Sequence, residues 1–130
     1  MTFAAEDWHN ENTRTTAVLN RIEAGVLGSI LLDPRLRFKT RGLQPRHFYD
    51  KVKGAVFHTM KTSFPESGFD RTLLAYQLEL DKVPCPNPLG WLVDLSSLDD
   101  HVVFDEDFDQ YVDIVIKDYA IRRAARAVAQ

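Results

Sequence analysis

The stretch Arg21-Ile22-Glu23-Ala24-Gly25-Val26-Leu27-Gly28-Ser29-Ile30-Leu31-Leu32-Asp33-Pro34 reads as an amphipathic helix halted by Asp-Pro. Upstream, Thr15 or Thr16 is placed to cap it. Val18, Leu19, Ile22, Val26, Ile30 and Leu31 then fall at helical spacing on one face. Gly25 and Gly28 stand three apart on this helix. Each glycine costs about 1 kcal/mol against alanine. Close approach of a second helix would justify that cost; a plain loss of helicity is the other reading.

Outward from this helix the pattern stays helical. Asp33 caps a short second helix with Pro34 at its first position, and Gly42 is placed to end it. Arg35, Arg37, Lys39 and Arg41 make that segment basic, either as a solvated face or as a phosphate contact. Pro45 predicts a single helical turn, with Phe48 and Tyr49 plugging the core. Asp50 caps a third helix to about Ser63, with Val52, Ala55, Val56 and Met60 on one stripe, flanked by Phe57 and Phe64. Asp70 caps a fourth, with Leu73, Leu74 and Leu78 inward. Pro84, Pro86 and Pro88 forbid regular helix in their loop. Asn87 can cap a fifth helix carrying Leu89, Trp91, Leu92 and Leu95.

A short extended link, His101 to Phe104, leads to a last helix from Asp105 to about Ala129. Phe108, Tyr111, Val112, Val115, Ile116 and Tyr119 repeat there at helical spacing. Asp105, Glu106, Asp107, Asp109 and Asp113 open it and Arg122, Arg123 and Arg126 close it, matching the helix dipole. The fold class is therefore all-α, a compact bundle of about six helices over residues 15–130. Residues 1–14 form a flexible polar arm without the features of a secretory signal.

Composition narrows the function. A chain of 130 residues with 45% apolar content and eight Phe holds one cored domain. A net charge of −3 does not draw the whole fold to nucleic acid. A single cysteine, Cys85, cannot close an internal disulfide, which fits a reducing compartment. No apolar run reaches the roughly 18 residues of a membrane span. Asp105-x-Asp107-x-Asp109 starts like a calcium loop, but Gln110 takes the place of the turn glycine and Ile116 that of the bidentate Glu. His9, His47, His58 and His101 lack zinc spacing, and no phosphate-binding glycine loop occurs. We expect no catalytic residue, no metal site and no cofactor.

Five segments follow in order: Glu23 to Pro34; Leu43-Gln44-Pro45-Arg46-His47-Phe48-Tyr49; Asp70-Arg71-Thr72-Leu73-Leu74; Trp91-Leu92-Val93-Asp94-Leu95; and Tyr111-Val112-Asp113-Ile114-Val115 onward to Arg122-Arg123. Together they resemble the N-terminal domain of DnaB-type replicative DNA helicases. That family has Glu-Gln-x-Val-Leu-Gly in its first helix, and Ala24 stands for the Gln here. The loop Val83 to Pro88 replaces the family's glycine-containing loop, as in a divergent member from a phage or mobile element.

The resemblance implies a helical domain followed by a helical hairpin, a linker and a RecA-like motor, where ATP and Mg would be used. It also implies a collar in which such domains pair, form a trimer of dimers and receive the primase or a helicase loader. The chain is then expected to end near the start of the hairpin, as a piece of an ATP-dependent helicase or as a stand-alone relative in the bacterial cytoplasm. On this reading it is not itself an enzyme but an interaction and oligomerisation module of DNA replication.

Candidates for the partner or self-association surface are Tyr119, Ile121, Arg122, Arg123, Arg126 and Val128. For Tyr119 and Ile121, completion of the core is the alternative. Two other functions compete. One is an adaptor or inhibitor imitating the helicase domain, which should disturb an intact hexamer. The other is a small DNA-binding domain using Arg35, Arg37, Lys39, Arg41 and Arg46.

Overall fold

The first helix is the axis around which most of the other helices pack. The computed structural model describes residues 5–40, 42–66, 68–97, 103 and 105–129, with side chains in the first and last helices described over 16–32 and 106–127. Helix α1 spans Ala5–Leu32, ten residues longer than the expected start at Thr15. The sequence between Ala5 and Thr15 contains neither proline nor glycine, so no residue there breaks a helix. The expected arm falls partly on residues 1–4, which lie outside the described residues.

From Glu23 to Leu31 every residue of α1 is buried. Periodicity alone predicts one buried face; a helix clasped by several neighbours is buried all round. Helices α2 (Lys51–Thr62), α4 (Pro88–Leu95) and α5 (Asp105–Ala129) all pack on α1. The small residues Ala24, Gly25, Gly28 and Ser29 sit in this enclosed stretch. Ser29 Oγ donates to the Gly25 carbonyl at 2.7 Å and accepts the Val103 N–H at 3.1 Å, tying α1 to the segment before α5. Val18, assigned to the buried face, is exposed, because enclosure of α1 begins only at Leu19. Of the expected extended link, only Val103 is described.

After α1 the chain makes two 3-10 turns, Pro34–Lys39 and Pro45–His47. Asp33 caps the first by accepting the Arg35 N–H, and the Leu36 N–H bonds the Asp33 carbonyl in the tight i+3 pattern. Arg37 departs from the solvated basic face: it is 3% exposed, with its guanidinium 4.7 Å from the Phe38 ring centre and 5.3 Å from that of Phe69. It therefore drops out of any phosphate footprint, while Arg41 lies outside the described residues. Gly42 turns the chain at φ +84°, a conformation costly for other residues. Phe48 is buried against Phe57, but its extended backbone sends Tyr49 the opposite way, so Tyr49 is exposed rather than a core plug.

The join between α1 and α2 is a buried carboxylate. Glu23 is 0% exposed, and its oxygens accept the Tyr49 N–H at 2.6 Å and the Asp50 N–H at 3.2 Å. Asp50 in turn caps α2 through the Val52 N–H and pairs with Lys53 at 3.0 Å. Gly54 lets α2 approach the preceding turn: a Cβ there would lie 2.5 Å from the Pro45 carbonyl oxygen.

Helix α3 (Arg71–Leu80) is capped by Asp70 and pairs with α4, where Arg71 Nη1 donates to Ser96 Oγ at 2.9 Å. Leu74, Ala75 and Leu78 face the core; Leu73, one step from Leu74 around the helix, faces solvent. Leu89 is likewise exposed, on the first turn of α4 beside the proline loop, while Leu92 and Leu95 are buried. Asn87 does not cap α4 with its side chain. It adopts φ 48°, the left-handed region, and offers its backbone carbonyl to the Trp91 N–H instead. All regular elements among the described residues are helical, five α-helices and two 3-10 turns. No helix among the described residues is long and apolar enough to cross a membrane.

Two substitutions test this packing. Gly54→Ala should destabilise the fold by about 1–3 kcal/mol in urea unfolding, because backbone must move to admit the methyl. Burial raises the Glu23 pKa above its ordinary value, against the lowering effect of the two backbone donors and Lys53. The stability tied to its proton is full below the ordinary carboxylate range and falls as pH rises through the raised value. Glu23→Gln should flatten that decline in urea midpoints measured across pH. At Asp50 desolvation acts in the same raising sense, but the bond to Lys53 and the backbone donors together overcome it and lower the pKa. Its contribution is therefore lost in the opposite, more acidic window.

Candidate functional site

Helix α5 is rooted in the core by Phe108, Val112 and Val115 and leaves it over its second half. From Ala120 to Ala127 the pattern changes: Ala120, Ile121 and Arg123 to Ala127 are exposed, and among these described side chains only Arg122 remains half-buried.

Arg122 is held from several sides. Its Nε sits 2.6 Å from Asp118 Oδ2, and its Nη2 donates to the His47 carbonyl at 3.0 Å. Its guanidinium lies 5.2 Å from the Tyr49 ring centre and 5.7 Å from that of Tyr119. The His47 ring packs on Tyr119 at 5.0 Å, tilted by 58°. His47 Nδ1 accepts the Gln44 N–H at 2.9 Å, so that nitrogen carries no proton. Burial, with the charge of Arg46 beside it, lowers the His47 pKa and favours the neutral ring.

The result is an open basic groove between α5 and the turn at Pro45–His47. Two adjoining depressions of about 540 and 470 Å³ make it up. Arg46, Tyr119, Arg122 and Arg126 line both; Arg123 joins one and Lys51 and Tyr49 the other. Four of the six residues expected from the sequence therefore meet here: Tyr119, Arg122, Arg123 and Arg126. Ile121 does not line the groove and is 67% exposed. The side chain of Val128 lies outside the described residues. Tyr119 is half-buried, so it shares in the core as well as in the groove.

Sequence reasoning misses the opposite wall. It groups Arg46 with Arg35 to Arg41, yet Arg46 belongs with the arginines of α5. The signal is present in Leu43 to Tyr49, whose buried Leu43 and Phe48 fix the exposed Arg46 and Tyr49 on the other side.

Guanidinium groups stay charged and hold carboxylate or phosphate by paired hydrogen bonds. Among the described residues no group of three or more His, Cys, Asp or Glu is placed to hold a metal ion. Cys85 is buried, and desolvation, with the charge of Asp50, pushes its thiol pKa up, away from a nucleophilic thiolate.

Compared with known proteins, residues 17–117 match the family described as the DnaB-like helicase N terminal domain. No curated protein and no solved structure matches the chain. Because Arg122 joins α5 to the 45–49 segment, Arg122→Ala should cost about 1–3 kcal/mol in urea unfolding. Arg122→Lys should recover only part of that, since an ammonium cannot reach the carboxylate and the carbonyl while lying flat on the rings.

Proposed function

The chain belongs to the DnaB-like helicase N-terminal domain family, and on that premise we propose that it is a protein-interaction and oligomerisation module of a replicative helicase. It pairs with itself through α5 and receives the primase or a helicase loader, and it carries no motor activity of its own. The observation that carries this reading is an exposed isoleucine face on α5. Ile114 and Ile121 stand 40% and 67% exposed, two turns apart on one face, away from buried Phe108, Val112 and Val115.

Arg122, Arg123 and Arg126 line the groove, on the side of α5 away from Ile114 and Ile121, so a pair formed on the isoleucine face rests on apolar burial and not on these arginines. Burial of the isoleucine face would then supply the apolar gain of pairing.

Sedimentation at several protein concentrations tests the proposal. The chain should associate reversibly, and Ile121→Asp should weaken that association at least about tenfold, since a charge would be buried without a partner. A strict monomer at high concentration, or an unchanged association in the variant, counts against pairing through α5.

A further inference from the structure

We propose that the groove between Arg46, Arg123 and Arg126 is the docking site for a short acidic peptide segment of a partner protein. This rests on reading the chain as an interaction module, and it adds the chemistry of what that module receives.

The groove is not explained by the needs of the fold. Arg46, Arg123 and Arg126 are exposed, and none of them makes an ion pair among the described residues. Lys51 adds a further cation to the same walls. The nearby acid, Asp118, is already engaged by Arg122. Like charges gathered around one depression repel each other, so the arrangement gains only when an anion enters. The guanidinium fork matches carboxylates two oxygens at a time.

A long polyanion fits less well. The chain carries a net charge of −3, and the first half of α5 is acidic, so a strand running beyond the groove meets repulsion. Single-stranded nucleic acid also uses aromatic rings as stacking platforms for its bases. Tyr49 and Tyr119 instead hold Arg122 over their rings, and His47 leans on Tyr119. They form a floor for the cation rather than seats for bases. A second copy of α5 is not the occupant proposed here, because Ile121 lies outside the groove and pairing on the isoleucine face leaves the groove open.

The test uses fluorescence anisotropy with a fluorescein-labelled glutamate decapeptide and an oligodeoxythymidylate of equal charge. The peptide should bind saturably, more tightly than the oligonucleotide, and more weakly as salt rises. Arg123→Glu, Arg46→Glu and Arg126→Glu should each lower its affinity about tenfold with an unchanged circular dichroism spectrum. Lys117→Glu, a reversal on α5 outside the groove, should leave it within about twofold. Ile121→Asp should bind the peptide as the wild type does, which separates this site from self-pairing. Tighter binding of the oligonucleotide, equal losses in Lys117→Glu and the groove variants, or no saturable binding at all would overturn the proposal.

Discussion

The buried carboxylate of Glu23 is the constraint on which the arrangement depends. It lies within the enclosed stretch of α1 and accepts two backbone N–H groups from the segment that leads into α2. Removing it strips both donors of their partner, at about 1–3 kcal/mol for each that water cannot reach. By holding Tyr49 and Asp50 in place, Glu23 fixes three things together. Phe48 enters the core, Asp50 caps α2, and Tyr49 faces the arginine of α5. Glu23 and Tyr49 stand 26 residues apart in the chain but form one junction in space.

Much of the helical layout is legible because its signals are local. Asp33, Asp50 and Asp70 cap the elements that the sequence assigns to them, and Pro34, Pro45 and Pro88 stand at the first positions of theirs. The resemblance to the helicase domain is legible too, since its motifs run through most of the chain. What periodicity cannot give is how many neighbours each helix has. It makes α1 one-faced, although several helices enclose it, and it counts Val18, Leu73 and Leu89 as buried where the packing leaves them exposed. Asn87 departs for a different reason: capping by its side chain requires extended backbone, and the proline-rich loop leaves it left-handed.

The candidate site is half legible. The arginines of α5 stand out as a charge block on one helix, and three of them do share a groove. Arg46 cannot be assigned to that group from sequence, because its membership depends on a tertiary contact, the bond from Arg122 to the His47 carbonyl across 75 residues. Arg37 shows the converse. Its neighbours in sequence make it look solvated, while Phe69, remote in the chain, supplies the ring it lies against. Charge runs reveal which residues are available, and only the packing decides which of them act together.

The enclosed middle of α1 has a consequence for how such a domain can change over generations. Ala24, Gly25, Gly28 and Ser29 are all buried, so any enlargement there has to be taken up by a close-packed interior. Change is easier at the periphery, where Ile121, Arg123 and Arg126 are exposed. A lineage built on this plan can acquire new associates while its skeleton stays the same.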